Sequence, residues 1–135
     1  MNIARLPIIS LLAITLCSGC ADLDVISFSD DVSEASHVLQ GNETYSAIPE
    51  DQVTVYVYKP NFTFKIIGTI EARGMARGGL LSTPEEKEDV ALALKALKKE
   101  AASIGANGVI IMESGQVRVS NEATERRIAA IAIRY

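Results

Sequence analysis

The stretch Glu100–Ile110, EAASIGANGVI, connects the end of a predicted helix to the start of a predicted strand, and the fold class follows from it. Upstream, an apolar stripe has the helical spacing i, i+4, i+7, i+11 and i+14. It consists of Val90, Leu94, Leu97, Ala101 and Ile104. Gly105 ends the helix, because glycine adopts the left-handed conformation there without strain. Downstream, Val109–Met112 is wholly apolar, which is typical of a strand in the middle of a sheet.

The predicted helix also has a start signal, Thr83–Glu86, with the sequence TPEE. Threonine is a favoured capping residue and proline fits the first helical position. The glutamate at the third position completes a capping box worth about 1 kcal/mol. Acidic residues follow this start and lysines lie nearer the helix end, which complements the helix dipole. A single helix of about five turns is therefore expected.

Alternating apolar and polar residues predict the strands on either side of this helix. Val53–Tyr58 and Phe62–Arg73 alternate at period two before the helix, separated by a turn at Lys59–Asn61. After Val109–Met112, two further strands are predicted at Gln116–Ser120 and Arg127–Tyr135. The expected domain, residues 52–135, is α+β: a single helix packed on a mixed, twisted sheet of about five strands, in the order β-β-α-β-β-β.

The N-terminus has the features of a bacterial export signal. A short start with one positive charge precedes the apolar run Leu6–Leu16, which is shorter than the roughly 20 residues that span a bilayer. The sequence CSGC follows, and it resembles a lipobox, with small residues directly before Cys20. This resemblance implies a signal peptide over residues 1–19 and a lipid-modified Cys20, although Cys17 stands where the lipobox usually has leucine. Simple secretory cleavage and a redox or metal C-x-x-C are the alternatives.

The next segment, residues 20–51, is strongly acidic. It contains eight Asp or Glu residues and no Lys or Arg, and it lacks a long apolar period. This composition predicts a flexible tether between the lipid anchor and the domain. A segment that folds on a partner is the alternative, with Val25–Phe28 and Val38–Leu39 as its apolar contacts. His37, the one histidine of the chain, is expected to be an ordinary solvated side chain.

The predicted domain resembles a group of small bacterial lipoproteins and their relatives. The resemblance is carried by VYVYKPNFTFKIIGTIEARG at Val55–Gly74 and by ALKALKKEAASIGANGVIIM at Ala93–Met112. YbjQ-type domains and the Rcs-system stress-sensing lipoprotein share this general plan. The resemblance implies the fold and an envelope location. It implies neither the sensor role, which goes with disulfides that this chain lacks, nor the metal binding suggested for YbjQ-type domains.

The chain shows no set of residues that predicts catalysis. It has no nucleophile with a base, no acid–base pair and no Cys/His cluster, so no enzyme activity, cofactor or metal is expected. The stretch Ala72–Glu86 is predicted to be a connecting loop. Its residues Arg73, Arg77, Gly78 and Gly79 precede a helix N-terminus, so a site for a small anion is the alternative prediction.

The functional prediction is therefore a non-enzymatic, lipid-anchored lipoprotein of the bacterial cell envelope that acts through protein contacts or self-assembly. Tyr56 and Tyr58 are the candidate interaction residues, and otherwise they are ordinary sheet residues. The partners expected are the membrane, through the lipid on Cys20, and an envelope protein or a second copy, with no nucleic acid. Ala21, rather than Asp, follows Cys20, and this resembles lipoproteins of the outer membrane that face the periplasm.

Overall fold

The computed structural model describes residues 31–77, 86–120 and 123–135, and of Arg77, Glu86 and Lys87 it describes the backbone alone. The elements are β1 (Val32–Leu39), a 3₁₀ turn (Glu50–Gln52), β2 (Thr54–Tyr56), β3 (Lys65–Arg77), α1 (Glu86–Ser103), β4 (Gly108–Ser120) and β5 (Ala123–Arg134). No helix in these ranges is both long and apolar enough to cross a bilayer.

The five strands form one mixed sheet in the order β1-β3-β5-β4-β2. The pairing of β2 with β4 is parallel, and the other three pairings are antiparallel. The single helix packs on one face, mainly over β1, β3 and β5. The predicted α+β class is thus confirmed. The helix follows the third strand, however, so three strands precede it and two follow it.

The junction between helix and strand, Glu100–Ile110, has the expected structure at Gly105. This residue has φ +75°, and its N–H donates to the Ala102 carbonyl at 3.1 Å. The N–H of Ala106 donates to the Ala101 carbonyl at 2.9 Å, which completes a Schellman motif. A side chain at position 105 would also meet the Ser46 carbonyl oxygen at 2.6 Å. The helix end and the strand start are therefore locked together at a glycine.

Small residues bring α1 unusually close to the sheet. Ten of the nineteen buried apolar residues among those described are alanines, and all except Ala106, which follows the helix, occur on α1, β3 and β5. The closest approach is at Gly74 in β3, where an added Cβ would lie 2.3 Å from both the Asp89 carbonyl oxygen and the Ala93 nitrogen. The helix backbone therefore rests almost directly on the strand backbone.

The helix face that packs on the sheet departs from the predicted stripe in the first half of α1. Leu97, Ala101 and Ile104 are buried as predicted, but Val90 and Leu94 are only half-buried. Asp89 and Ala93 take the buried positions in that part of the helix. The prediction from hydrophobic spacing was wrong here because the helix packs through alanines, whose small side chains add little to the periodic signal.

The structure corrects the predicted tether. Residues 32–39 form β1, which pairs along its whole length with β3, so the domain includes part of the acidic segment. Ser33 Oγ donates to the Leu92 carbonyl at 2.8 Å, and His37 Nδ1 donates to Glu100 Oε1 at 2.5 Å. His37 therefore anchors β1 to α1 and is not simply solvated. Residues 20–30 of the predicted tether lie outside the described residues.

The segment between β1 and β2 is also attached to the domain. The N–H of Ile48 donates to the Ala102 carbonyl at 3.0 Å. Glu43 pairs with Lys65 and accepts a hydrogen bond from the Tyr45 hydroxyl at 2.6 Å. These bonds, led by the one from Lys65, hold the pKa of Glu43 below its usual value. The acidic composition was misleading because these charged side chains face solvent while the backbone joins the fold.

Two other predicted boundaries move. The strand β3 continues to Arg77, so the predicted loop Ala72–Glu86 does not begin until after that residue. The strand β4 is one 13-residue element, which joins the two strands predicted at Val109–Met112 and Gln116–Ser120. Irregularities between Ile111 and Glu113 and between Arg118 and Ser120 bend it without ending it. The polar residues between the two apolar runs are accommodated because they pair with β5 through the backbone.

A chain that begins at Gly41 should be less stable than one that begins at Asp31. Removing β1 breaks several ladder hydrogen bonds, worth about 0.5–1.5 kcal/mol each, and uncovers one side of β3. We expect the free energy of unfolding, measured by urea denaturation, to fall by at least about 2 kcal/mol. Equal stability of the two chains would mean that β1 is a dispensable tether.

Replacing Gly74 by alanine should destabilise the domain, because the new methyl group would force α1 away from β3. The expected loss is about 1–3 kcal/mol in the free energy of unfolding, measured by thermal or urea denaturation. Gly115→Ala is the matched control in the same sheet, since no atom lies within 4 Å of its Cβ position. That control should change stability by less than about 0.5 kcal/mol. Equal effects of the two substitutions would contradict the close packing at Gly74.

Candidate functional site

The predicted site residues fall into separate parts of the structure. Cys20, Gly78 and Gly79 lie outside the described residues, and so do the surroundings of the Arg77 side chain. Arg73 lies within β3, Tyr56 is the last residue of β2, and Tyr58 follows two residues later. The described residues therefore locate the two candidate tyrosines and one of the candidate arginines.

Arg73 is engaged with a carboxylate on the face of the sheet opposite α1, here called the open face. Its Nε donates to Glu34 Oε2 at 2.9 Å, and Glu34 raises the pKa of the guanidinium. Directly across the sheet stands Arg127, which pairs with Glu125. Each arginine thus has its own acidic partner, which offsets the repulsion expected between like charges on facing strands. Arg73 is part of a strand and not of the predicted anion-binding loop.

The open face contains a groove of about 690 Å³. Its floor includes the small residues Ala129 and Gly115, and its charged border includes Glu71, Glu113 and Arg127. Among the described residues, neither Glu71 nor Glu113 has a hydrogen-bonding or ion-pair partner. The groove is thus more acidic than basic, so it is a poor surface for the predicted anionic ligand.

The aromatic residues gather at one end of the sheet. This aromatic end is defined by Tyr56, Tyr58, Phe62, Phe64 and Tyr135, which are five of the seven aromatic residues in a chain with three Phe and four Tyr. The rings of Phe62 and Tyr135 are 4.6 Å apart, and Tyr56 contacts both in edge-on geometry at 5.7 and 6.3 Å. The chain from Tyr56 to Lys65 thus folds back onto the C-terminal residue.

Tyr56 and Tyr58, which were predicted together as interaction residues, have different surroundings. The Tyr56 hydroxyl donates to the Tyr135 hydroxyl at 3.0 Å, which raises the pKa of Tyr56 and lowers that of Tyr135. Tyr56 is half-buried, and it therefore supports the aromatic end from within. Tyr58 is 85% exposed and its neighbour Val57 is 65% exposed. Tyr58 is accordingly the one of the pair that is free to contact another molecule.

The surface around Tyr58 is concave, and the stretch of sequence that forms it contains no acidic residue. Residues Val55–Phe62 border a shallow depression of about 700 Å³. From Gln52 to Ile70 the sequence has two lysines and no Asp or Glu. The stretch differs in this respect from the rest of the chain, which contains all the Asp and Glu residues and gives the protein a net charge of −4. An exposed, aromatic and weakly basic surface is characteristic of a macromolecular contact.

A buried polar cluster lies beneath the start of α1, and the sequence analysis did not find it. Asp89 has no exposed surface, and Gln116 Nε2 donates to its Oδ2 at 2.9 Å. Arg126 Nε lies 4.0 Å from Asp89 Oδ1, and neither atom has a hydrogen-bond partner; the buried hydroxyl of Thr124 also lacks one. The cluster joins α1 to β4 and β5. Because Asp89 is sealed from solvent, a substrate cannot reach it.

Metal ligands are not brought together in the described part of the chain. No group of three or more His, Cys, Asp or Glu side chains has the geometry to hold an ion there. His37 and Glu100 form a pair that connects β1 with α1. These two side chains therefore have a structural explanation in the fold.

Sequence reasoning missed Phe62, Phe64 and Tyr135 as parts of the site. They are far apart in sequence, and only the folding of the chain brings Tyr135 against Phe62. One signal could have indicated them: the concentration of aromatic residues in an acid-free stretch of a chain that is otherwise poor in aromatic residues.

Comparisons with known proteins leave the family open. No family model matches the chain, and no curated protein matches it. Among solved structures it is similar to one described as a Francisella virulence factor, FvfA, at 19% identity and a TM-score of 0.46. The match covers 72% of this chain and 95% of that one. The resemblance to YbjQ-type and stress-sensor lipoproteins stays a prediction.

Proposed function

We propose that this protein is a lipid-anchored lipoprotein of the bacterial cell envelope whose domain binds a partner protein through its aromatic end. The observation that carries the proposal is the exposed surface around Tyr58, where the aromatic side chain of Tyr58 and the apolar side chain of Val57 both face solvent. The anchor is the predicted lipid on Cys20, and the location is the outer membrane, facing the periplasm. No chemistry is assigned to the domain.

The composition of this surface supports a protein partner. Tyrosine is enriched at protein interfaces because it combines a large apolar ring with a hydroxyl that forms hydrogen bonds. A small number of such residues commonly contributes most of the binding energy. The half-buried Tyr56 and its bond to Tyr135 hold the aromatic end in place before binding, which lowers the entropic cost of association.

The direction of the chain supports the same conclusion. The strand β1 begins at Val32, opposite Met75, and it ends at Leu39, opposite Gly68. The aromatic end adjoins the other end of β3, at Lys65, which is about 30 Å from Met75 at the rise of a strand. A tether from Cys20 thus enters the domain at the end of the sheet opposite the contact between Phe62 and Tyr135. A domain held in this way presents its aromatic end away from its own bilayer.

The alternative prediction, a small anionic ligand at the loop after β3, has weaker support. It relied on Arg73 and Arg77 acting together, but Arg73 is paired with Glu34 on the open face. The groove beside Arg73 has unpaired carboxylates of Glu71 and Glu113 on its border. An anion would be repelled by these charges.

Replacing Tyr58 by alanine should abolish partner capture without unfolding the domain. The measurement is in-cell chemical cross-linking of the membrane-bound chain, followed by identification of the captured proteins. Val38→Ala is the matched control, because Val38 is also a strongly exposed apolar residue but lies on β1. We expect the control to capture the same partner as the native chain. Equal capture by Tyr58→Ala, with an unchanged melting temperature, would contradict the proposed surface.

Replacing Cys20 by alanine should release the protein from the membrane fraction, because the acyl chains would no longer be attached. The measurement is fractionation of cells followed by detection of the chain in membrane and soluble fractions. Cys17→Ala is the control, since the predicted cleavage removes Cys17. Identical fractionation of the native and Cys20→Ala chains would exclude a lipid anchor at this cysteine.

A further inference from the structure

The outer edge of β4 is free over most of its length. The short strand β2 pairs only with Gly108–Ile110, and no strand in the described part of the chain pairs with the outer edge of Ile111–Val119. This leaves a row of backbone donors and acceptors without ladder partners. Such an edge is a template for pairing with another strand.

The free edge carries the charged residues Glu113 and Arg118 but lacks the lysine and proline that often protect natural edges from pairing. Residues 111–120 contain no Lys and no Pro, and Met112, Val117 and Val119 are each more than half exposed. The two irregularities of β4 lie at the ends of this segment, so Glu113–Arg118 between them pairs regularly with β5. A regular, exposed and partly apolar edge favours strand addition.

Two residues of this edge have complementary shapes. Gly115 and Val117 are two positions apart on one strand, so they lie on the same face, and both border the groove of the open face. The space above Gly115 is empty, with no atom within 4 Å of the position a Cβ would occupy. Val117 is 52% exposed beside that space. A gap and a projecting side chain thus stand next to each other at the free edge.

We propose that two copies of this chain associate through their β4 edges, antiparallel and centred on Gln116. In this register Val117 of each copy lies opposite Gly115 of the other, so the gap is filled twice across one two-fold axis. Glu113 then faces Val119, and Arg118 faces Ser114, so no like charges oppose each other. The two sheets join into one continuous sheet, in which each β2 stays beside the first residues of its own β4.

The rules of antiparallel pairing and the position of the helix both favour this arrangement. In an antiparallel pair, directly opposed residues lie on the same face, so the pairing must centre on a residue. Centring on Gly115 would set glycine against glycine and Glu113 against Val117. The helix lies mainly over β1, β3 and β5 and is set back from β4. Two copies can therefore approach edge to edge without a collision of their helices.

This surface is separate from the aromatic end, so the two proposals succeed or fail independently. The regular segment Glu113–Arg118 lies beyond the part of β4 that β2 covers, and none of its residues lines the depression around Tyr58. Substitutions at the β4 edge should therefore leave capture of the partner protein unchanged.

The first test measures the association of the full chain in detergent micelles by sedimentation, across a dilution series. We expect a monomer–dimer equilibrium, and Val117→Lys should raise its dissociation constant by about tenfold or more, which corresponds to about 1.4 kcal/mol. A lysine there removes the side chain that fills the space above Gly115, and its ammonium group would lose water in the contact. Val38→Lys on β1 is the matched control and should have no effect. A native chain that stays monomeric, or a dimer that Val117→Lys does not weaken, would overturn the proposal.

The second test uses the reciprocal contact itself. Gly115→Val alone should weaken the dimer, because two valines would then face each other in each contact, and Val117→Gly alone should weaken it by leaving two gaps. The double variant Gly115→Val, Val117→Gly restores one valine opposite one glycine and should recover most of the native affinity. Melting temperatures of all three variants check that the monomer stays folded. Additive weakening in the double variant would exclude the proposed register.

Discussion

The structure depends on the close contact between α1 and β3 at Gly74. Because a Cβ there would lie 2.3 Å from the helix backbone, any other residue would separate the two layers. The alanines of α1, β3 and β5 continue this close approach across the interface. The helix covers mainly β1, β3 and β5 on this face. Asp89, near the start of α1, has no exposed surface.

One-sided coverage also explains where interactions can occur. A sheet that has a helix on one face leaves the other face, both edges and both ends to solvent. Here the ends and edges differ in chemistry: the aromatic end is apolar and weakly basic, the open face carries unpaired carboxylates, and the β4 edge offers backbone groups beside Val117. The proposed partner protein and the proposed second copy would use different parts of this exposed surface, so one copy can engage both.

The candidate site was only partly predictable from the sequence. Tyr56 and Tyr58 were nominated together because they alternate on one strand, but the strand ends at Tyr56 and Tyr58 turns outward with the loop. Arg73 was placed at the end of a strand and at the start of the predicted loop, whereas pairing with β5 extends the strand to Arg77. The contact between Phe62 and Tyr135 joins residues that no local pattern connects.

By itself, the sequence determined the helix, its glycine end at Gly105 and the α+β class, because periodicity and left-handed glycine are local properties of the chain, whereas the predicted cap at Thr83 lies outside the described residues. Only the tertiary structure decided that residues 32–39 belong to the sheet, since their acidic composition hides a strand that becomes stable when β3 offers its edge. It also decided which face of α1 is buried. Alanines on that face allow the helix to lie close to the sheet. The distance between helix and sheet depends on both surfaces in contact, so the pattern of the helix sequence alone does not reveal it.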